Sequence, residues 1–367
     1  MRIGIDARPL SYQLTGIGFY LKFLLDEFQA IDRTHHYVLI SNTHVDYDIN
    51  NPNWSKHEGG CPGKLLSTAW MQSAAPAAAL RLKLDLFWGP RHHLPLLLPP
   101  GVKKIVTIHD VVHLLFPETM PPAHLIVERM LMGLSLMSAD RIVAVSHATR
   151  EEILRRYRVK PARVRTVHSG VPLFPSPDAA EAPLFQRPAA YFLFVGTLEP
   201  RKNFDRIFEA YERIQAAEQG IHLVITGASG WKNASFIRML DGHPLRPFVH
   251  LTGYVSRGEL GLLFKNALGL VFPSLYEGFG FPVLEAMMSG TPVITATVSA
   301  MPEIAGGAAL LVDPRDVGQI ARAMARLISD KDLRNVLVQR GRKRSDAFNW
   351  SRAARGMQRI FQEVMST

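Results

Sequence analysis

The chain has 367 residues and the composition of a globular protein: 47% of its residues are hydrophobic, 20% are charged, and its net charge at pH 7 is +10. A chain of this length is too long for a single ordinary hydrophobic core, and we therefore predict two domains. The single cysteine, Cys61, excludes an internal disulfide framework and fits a reducing cytosol.

The first half of the chain alternates short apolar runs with helical patterns. We predict strands at residues 3–5, 37–41, 84–88, 104–108, 141–145 and 164–167. A helix is predicted at 19–28, because its apolar residues repeat with a period near 3.6. This alternation indicates a parallel sheet with helices on both faces. The first apolar stretch is too short for a signal peptide, and no apolar run has the ~18 residues of a membrane span.

A stretch without periodicity follows, with prolines at positions 172, 175, 177, 183 and 188, and it predicts an interdomain linker. A second series of strands is predicted at 191–195, 223–226, 249–251, 268–272, 293–295 and 309–312. Asn203 is predicted to cap the helix that follows the first of these strands. The last helix is predicted near 351–365.

The segment from Ser274 to Gly290 combines two carboxylates with a glycine-rich turn. Glu277 and Glu285 lie eight positions apart, Pro282 suits the first turn of a helix, and Gly290 is a helix stop. The order is therefore strand, glycine loop and helix, with Glu285 in the first helical turn. Backbone N–H groups and a positive helix end then lie at the carboxyl edge of a sheet, where phosphates bind. Two acid groups around an anion site fit a nucleotide that carries a sugar.

Three further motifs lie at predicted strand ends. Gly16-Ile-Gly18 is predicted in a loop before the helix at 19, and Thr107-Ile-His109-Asp110 ends the strand 104–108. Phe194-Val-Gly-Thr-Leu-Glu-Pro-Arg201-Lys202-Asn opens the second half. Two adjacent cations at a strand end can hold a diphosphate, whose charge grows as a glycosidic bond breaks.

Together these four motifs, in this order, resemble the family-4 retaining glycosyltransferases of the GT-B fold, along nearly the whole chain. The resemblance implies an α/β architecture of two Rossmann-like, doubly wound domains that face each other across a cleft. The implied domains are an acceptor-side domain at 1–170, a linker at 171–188 and a nucleotide-sugar-binding domain at 189–346. A helix at 347–367 would cross back to the first domain.

The resemblance also implies roles for individual residues. The implied catalytic residues are His109, Arg201, Lys202 and Glu277. The implied donor-binding residues are Gly16, Gly18, Asp110, Thr252, Gly253, Tyr254, Val255, Gly278, Phe279, Gly280, Phe281 and Glu285. Among these, Glu285 would bind the ribose, Glu277 the sugar, residues 252–255 the nucleobase, and the two cations the diphosphate. Many relatives have Arg where this chain has Thr197, so the phosphate that each cation contacts stays open.

The implied reaction is transfer of a hexose, mannose or a deoxymannose such as rhamnose, from a GDP-sugar to a glycan or a polyprenyl-diphosphate-linked glycan. No cofactor or metal is implied, and Asp46-Tyr-Asp48 is interpreted as solvated surface. Alternatives are a UDP- or dTDP-sugar donor, a sugar-nucleotide epimerase of the same fold, and a basic nucleic-acid-binding or scaffold protein.

The excess of basic residues indicates an anionic partner, and an anionic membrane surface fits better than nucleic acid. Residues 64–83, with Leu65, Leu66, Trp70, Met71 and Leu80, could lie in a membrane interface or form an ordinary amphipathic core helix. We therefore expect a cytoplasmic protein at the inner face of the cell membrane. His92, His93, His113 and His168 are interpreted as structural or surface residues.

Overall fold

The computed structural model describes residues 1–61, 63–175, 187–228, 230 and 234–366, so most of the predicted linker, residues 176–186, lies outside the described residues. The chain divides into two compact units. Unit 1 comprises Met1–Leu115, Pro122–Gly170 and Phe348–Thr367, and unit 2 comprises Phe116–Pro121 and Val171–Ala347. The segment Phe116–Pro121, which the sequence placed with the first domain, groups with unit 2, where the Phe116 ring lies 6.1 Å from that of Tyr276.

Unit 1 is built on a seven-stranded parallel sheet. Its strands are β1 (Arg2–Asp6), β2 (His36–Ser41), β3 (Trp54–Glu58), β4 (Leu86–Gly89), β5 (Lys103–Ile108), β6 (Arg141–Ala144) and β7 (Val164–Thr166), in the order β3-β2-β1-β4-β5-β6-β7. Its helices up to residue 170 are α1 (Gly16–Ile31), α2 (Lys64–Arg81), α3 (Val112–Leu115), α4 (Pro122–Ser138) and α5 (His147–Arg156). Strand β4, at the centre of the sheet, is buried at every position, and in β6 only Arg141 is partly exposed, as expected for a sheet covered on both faces.

Strand β3 is absent from the sequence prediction. Buried and exposed residues do not alternate along this strand, and only Trp54 of its five residues is buried. The strand lies at the edge of the sheet and pairs only with β2. An edge strand of polar residues has neither the apolar run nor the strict alternation from which a strand is predicted.

Helix α1 begins three residues earlier than predicted, so the expected loop location of Gly16-Ile-Gly18 is wrong. The helix starts at Gly16 after the extended residue Thr15, and both glycines lie in its first turn. A Cβ atom at Gly18 would lie 2.9 Å from the Leu14 side chain and 3.1 Å from the Pro9 carbonyl oxygen. Glycine therefore permits a close approach of chain segments at the start of this helix.

Unit 2 is built on a six-stranded parallel sheet in the order β10-β9-β8-β11-β12-β13. The strands are β8 (Ala190–Val195), β9 (Ile221–Thr226), β10 (Val249–Gly253), β11 (Gly269–Phe272), β12 (Val293–Ala296) and β13 (Leu310–Val312). The helices are α6 (Phe204–Arg213), α7 (Ala234–Asp241), α8 (Arg257–Asn266), α9 (Phe281–Ser289), α10 (Met301–Ala305), α11 (Val317–Ser329) and α12 (Lys331–Ser345). Two parallel sheets flanked by helices confirm the predicted fold class.

Asn203 precedes α6, but its predicted capping role is wrong. The residue has a left-handed backbone (φ 69°), and its side chain makes no capping hydrogen bond. Its amide instead donates to the carbonyl oxygens of Pro273 (2.9 Å) and Pro314 (2.6 Å). The buried side chain thus ties the loop after β8 to the segments that follow β11 and β13.

The last helix, α13 (Trp350–Met365), belongs to unit 1. Its Phe361 ring lies 5.8 Å from that of Phe28 in α1 and 5.9 Å from that of Trp88 in β4. At its other end, Trp350 stacks on Phe23 at 5.4 Å. The final segment of the chain therefore completes the core of the unit that the first segment begins.

Candidate functional site

In unit 2, the side chains of Arg201, Lys202 and Glu277 form one buried cluster. The Nζ atom of Lys202 lies 2.6 Å from Oε1 of Glu277, and Nη1 of Arg201 lies 3.1 Å from Oε2. Only 11–12% of each side chain is exposed. Nη2 of Arg201 is also 3.3 Å from Oε2 of Glu199. The structure thus brings together the two predicted cations and the predicted carboxylate, although Lys202 and Glu277 lie 75 residues apart in sequence.

The protonation of this cluster follows from its burial and its charges. Burial alone would raise the pKa of Glu277, but Arg201 and Lys202 hold that pKa at about 2, so the carboxylate is ionised at neutral pH. Burial lowers the pKa of Lys202, and the charge of Glu277 offsets part of this change. The cluster is therefore a preorganised set of charges in a region with little water.

The glycine loop between Glu277 and α9 fixes the start of that helix. Gly280 has a φ of 113° at the N-cap position, and no side chain caps the helix there. Pro282 lies in the first turn and Gly290 ends the helix with a left-handed backbone, both as predicted. In the loop, the rings of Phe279 and Phe281 lie 5.2 Å apart. Residues 278–281 therefore present the backbone of a helix start immediately after Glu277.

Glu285 lies deeper in α9 than predicted. It is the fifth residue of the helix, so it belongs to the second turn, and it is 4% exposed. Its Oε1 accepts a hydrogen bond of 2.6 Å from Nη1 of Arg257 at the start of α8. Burial raises the pKa of Glu285, and the Arg257 guanidinium offsets part of that rise. Sequence reasoning missed Arg257, because no motif joins it to a carboxylate 28 residues away.

The predicted base-binding turn, residues 252–255, overlaps the end of β10 at Gly253 and continues beyond it. Gly253 has a φ of 72°, and its carbonyl oxygen accepts from the backbone N–H of Gly227 (2.8 Å) after β9. Tyr254 is exposed and Val255 is buried. Because all strands of this sheet are parallel, the turn lies at the same edge as the loop after β8 and the glycine loop after β11.

In unit 1, His109 and Asp110 follow β5 at the carboxyl edge. Nε2 of His109 lies 2.8 Å from the carbonyl oxygen of Pro90, so this nitrogen carries the proton and donates it. Burial and the nearby His92 lower the pKa of His109 to about 3, so the ring is neutral at physiological pH. Oδ1 of Asp110 accepts from the N–H of Val112 (3.0 Å), and Asp110 thereby caps the segment that begins α3.

Gly16 and Gly18 lie on the same helix as Tyr20, which contacts His109. Tyr20 lies one turn further along α1, and its ring packs edge-on against the His109 ring at 4.7 Å. Both α1 and His109 follow strands of the parallel sheet of unit 1, so they lie at its carboxyl edge. A neutral imidazole at this edge can accept a hydrogen bond from a sugar hydroxyl.

Beside His109 lies a histidine cluster that the sequence did not indicate. Oε2 of Glu128 in α4 lies 3.4 Å from Nδ1 of His92 and 3.0 Å from Nε2 of His93, and all three side chains are largely buried. Of the two alternatives left open by the sequence, structural or surface residues, their burial and their contacts with Glu128 favour a structural role for His92 and His93. The His92 ring is 5.6 Å from that of His109. Burial opposes a charge on His92, yet Glu128 raises its pKa.

Two weaker sequence candidates lie away from these residues. Asp46 and Asp48 are both exposed, which fits their interpretation as solvated surface. In α2, Trp70 and Met71 are buried, whereas Leu66 and Leu80 are exposed. Within the described ranges, no helix is both long and apolar enough to cross a membrane.

Two family models match adjacent parts of the chain. The model described as "Glycosyltransferase Family 4" matches residues 15–173, and the model described as "Glycosyl transferases group 1" matches residues 177–344. Among solved structures, a sucrose-phosphate synthase from Thermosynechococcus elongatus superposes with a TM-score of 0.78 at 20% identity, covering 100% of this chain and 99% of that one. WaaG, a glycosyltransferase involved in lipopolysaccharide biosynthesis, superposes with a TM-score of 0.73 at 16% identity, covering 98% of this chain and 99% of that one.

Fold and matched models together define a glycosyltransferase of the GT-B fold. More narrowly, the chain belongs to the family-4 glycosyltransferases. It is 29% identical to the O-antigen chain mannosyltransferase B of Escherichia coli over 95% of this chain and 96% of that protein. It is 27% identical to the O-antigen chain mannosyltransferase RfbU of Salmonella typhimurium over 61% of this chain and 60% of that protein.

Proposed function

We propose that this glycosyltransferase moves mannose, or a deoxymannose such as rhamnose, from a GDP-sugar to a glycan or lipid-linked glycan. The product would be part of a cell-surface polysaccharide, made with retention of configuration at the transferred sugar. The similarity to two O-antigen mannosyltransferases, one of them along nearly the whole chain, supports the sugar and the pathway class. The acceptor would be associated with the inner face of an anionic membrane.

The buried cluster of Arg201, Lys202 and Glu277 is the observation that carries this proposal. Negative charge grows on the diphosphate as its bond to the sugar breaks. Cations already fixed in a region of low dielectric stabilise that charge without reorganisation. Arg201 can grip phosphate oxygens with two N–H groups, whereas Lys202 acts as a point charge. Glu277 holds both cations in place and accepts hydrogen bonds from sugar hydroxyls.

The remaining donor contacts follow from α9 and its neighbours. Amide groups of residues 278–281 would bind the sugar, and the Glu285 carboxylate would accept hydrogen bonds from the ribose diol. The turn at 252–255 would contact the base. In this scheme no metal or cofactor takes part, and the two cations together with the positive start of α9 offset part of the charge of the diphosphate.

The configuration at the anomeric carbon would be retained, because the acceptor hydroxyl attacks from the same face from which the diphosphate departs. The acceptor hydroxyl forms the new bond to the anomeric carbon as the bond to the diphosphate breaks. The departing phosphate oxygen takes the proton of that hydroxyl, so atoms and charges balance without a covalent enzyme intermediate. The neutral His109 would accept a hydrogen bond from a sugar hydroxyl and would not exchange a proton in this step.

Calorimetric binding of GDP, UDP, dTDP and ADP without added metal tests the donor. We expect GDP to bind at least about tenfold more tightly than the others, a difference of about 1.4 kcal/mol. Selective binding of UDP or dTDP would indicate a UDP- or dTDP-sugar donor instead of a GDP-sugar. If none of the four nucleotides binds, the proposed nucleotide site is contradicted. Turnover of GDP-mannose to a second nucleotide sugar without acceptor would indicate an epimerase. Proton NMR of the glycoside product gives its anomeric configuration.

A further inference from the structure

Arg257 occupies a position that its own helix does not favour. It is the first residue of α8, which begins after the capping residue Ser256. A cation in the first turn of a helix is unfavourable, because the free N–H groups there carry partial positive charge. Residues that depart from such a local rule commonly serve a functional site. The contacts of the Arg257 guanidinium therefore need an explanation from outside α8.

The guanidinium of Arg257 is engaged on several sides. Nη1 donates to Oε1 of Glu285 at 2.6 Å, and Nη2 donates to the carbonyl oxygens of Pro172 (3.1 Å) and Leu173 (3.4 Å). Its Cζ atom lies 4.3 Å from the centre of the Phe174 ring, which is a cation–π contact. Only 17% of the side chain is exposed. These contacts hold the plane of the guanidinium in one orientation.

The segment 172–174, which supplies three of these contacts, is itself packed against α8. The Phe174 ring lies 5.6 Å from that of Phe264. A Cβ atom at Gly261 would lie 3.0 Å from Cβ of Phe174, so glycine lets the segment approach the helix closely. Both the segment and Glu285 belong to unit 2. The support of the guanidinium therefore comes from the same compact unit as the carboxylate that it binds.

Glu285 needs such a partner to stay charged. The residue is 4% exposed, and its neighbours at 283–287 of α9 are buried with it. Burial raises the pKa of Glu285, and the Arg257 guanidinium offsets part of that rise. The other helices that contact α9 carry charged residues as well, among them Glu259 and Lys265 on α8, Glu303 on α10 and Arg342 on α12. Within the described ranges, only Arg257 among the charged groups shifts this pKa.

An ionised and oriented carboxylate is what a ribose diol requires. Both hydroxyls of the diol donate, and hydrogen bonds to a charged acceptor are stronger than neutral ones. A carboxylate offers about four acceptor sites, so one bond to a guanidinium does not exhaust it. A protonated carboxyl would accept more weakly. The ionisation of Glu285 therefore sets the strength of the contact with the ribose.

We propose that Arg257 is a positioning residue for donor binding, which is held by the segment 172–174 and keeps the Glu285 carboxylate charged and directed toward the ribose diol. This inference rests on the proposed function, because the ribose belongs to the GDP-sugar. It assigns control of the ribose contact to a residue outside the glycine loop and α9.

Comparison of GDP with 2′-deoxy-GDP isolates this contact. By calorimetry, the unchanged chain should bind GDP at least about tenfold more tightly than 2′-deoxy-GDP. In Arg257→Met this ratio should fall to about threefold or less, since a neutral carboxyl makes a weaker hydrogen bond. Glu285→Gln should lower the ratio to the same extent. The double variant should lower it no further, because both changes act on one contact.

The pH dependence of the ratio separates positioning from a general structural role. The guanine and the diphosphate titrate alike in both nucleotides, so their effects cancel in the ratio. Without Arg257, burial raises the pKa of Glu285 further. In Arg257→Met the ratio should therefore rise with pH as the carboxyl loses its proton, and in the unchanged chain the same rise should occur at lower pH. Arg257→Lys keeps the charge and should titrate closer to the unchanged chain.

The matched control is Arg213→Met, which removes an arginine that pairs with Glu209 on α6 of the same unit and is 53% exposed. It should leave both affinities and their ratio unchanged. The proposal is overturned if Arg257→Met keeps the ratio of the unchanged chain at every pH. It is also overturned if that variant lowers the ratio equally at every pH, because a merely structural role would have this effect.

A second measurement does not depend on nucleotide binding. Carbon-13 NMR of side-chain carboxyl carbons follows the ionisation of Glu285, whose resonance is identified by its loss in Glu285→Gln. The titration should move to higher pH in Arg257→Met, and an unchanged titration would contradict the proposal.

The two measurements also distinguish this inference from the proposed function. If no nucleotide binds although the titration moves, the proposed function and the ribose contact are both removed, and only a structural ion pair is left. If GDP binds and Arg257→Met keeps the ratio, the positioning role alone is removed.

Discussion

Glu277 is the residue on which the charges of the unit 2 site converge, because each of its carboxylate oxygens faces a different cation. Without it, Lys202 would lose the carboxylate 2.6 Å away, and the neighbouring buried Arg201 would keep only Glu199. Burial makes each such charge unfavourable unless it has a partner. The arrangement is therefore stable without a ligand, and the diphosphate adds counter-charge to cations whose positions are already set.

Lys202 provides a direct test of the leaving-group role. Lys202→Met should lower kcat more than it raises KM for GDP-mannose, because the cation acts mostly on charge that develops in the transition state. The measurement is steady-state kinetics of both parameters. Lys265→Met, at an exposed position on α8, is the control and should change neither. Wild-type kcat in Lys202→Met would contradict the proposed role.

The same lysine predicts a pH dependence. Burial lowers the pKa of Lys202 below its ordinary value, and only the protonated amine is a cation. In the free enzyme, kcat/KM should therefore fall as pH rises through this lowered pKa, at a lower pH than an ordinary lysine would give. In Lys202→Arg the guanidinium stays charged, so this alkaline decline should disappear even where overall activity is reduced. An identical decline in both proteins would assign it to another group.

Glu285 tests the ribose contact. Glu285→Gln keeps the size of the side chain but removes its charge, so we expect the dissociation constant for GDP to rise at least about tenfold, or about 1.4 kcal/mol. Calorimetry gives this constant directly. The control, Glu209→Gln, removes a partly exposed carboxylate that pairs with Arg213 on α6 and should leave GDP binding unchanged. Unchanged affinity in Glu285→Gln would remove the ribose assignment.

Site residues that belong to a local sequence motif were identified from the sequence. Residues that form ion pairs with distant positions in the chain were missed. Glu277, Arg201 and Lys202 were predicted because each belongs to a recognisable local pattern. Arg257 and Glu128 were not predicted, because an ion pair between distant positions leaves no periodicity or spacing in either segment. Their partners could be found only once the strands had brought the loops together.

At the scale of elements, strand cores were predictable and element boundaries were not. The buried strands β1, β4 and β5 were found within one or two residues, since continuous apolar runs mark them. The start of α1 was placed three residues late because glycine disfavours helix interiors, yet first-turn positions impose little of that cost. Packing decides such boundaries, as it does where Gly18 lies against Pro9.

Gly280 tests how much the start of α9 depends on its backbone. Gly280→Ala would place a Cβ atom 2.5 Å from the Met301 side chain at a φ of 113°. We expect a loss of about 1–2 kcal/mol in unfolding free energy, together with weaker GDP binding because the amides of residues 278–281 shift. Urea denaturation and calorimetry measure the two effects. Gly242→Ala, where nothing lies within 4 Å of the added Cβ, should change neither.

At the scale of the whole molecule, the chain returns at its end to the unit in which it began. Helix α13 buries Trp350, Met357, Phe361 and Val364 against unit 1. Gln358 also donates to Oδ2 of Asp32 (3.0 Å), across 326 positions of sequence. The fold of unit 1 therefore includes contacts between segments that lie more than 300 positions apart in sequence.

Phe361 tests this dependence. The side chain is 1% exposed and packs against Phe28 and Trp88, so Phe361→Ala should leave a cavity and lower the unfolding free energy by about 3–5 kcal/mol. Met365→Ala, at a residue 37% exposed on the same helix, should cost far less. Hydrogen exchange locates the effect. If α13 is part of the unit 1 core, exchange should quicken in β1 and β4 and stay unchanged in β8 and β11. Faster exchange spread evenly over both sheets would instead mean that α13 supports the two units alike.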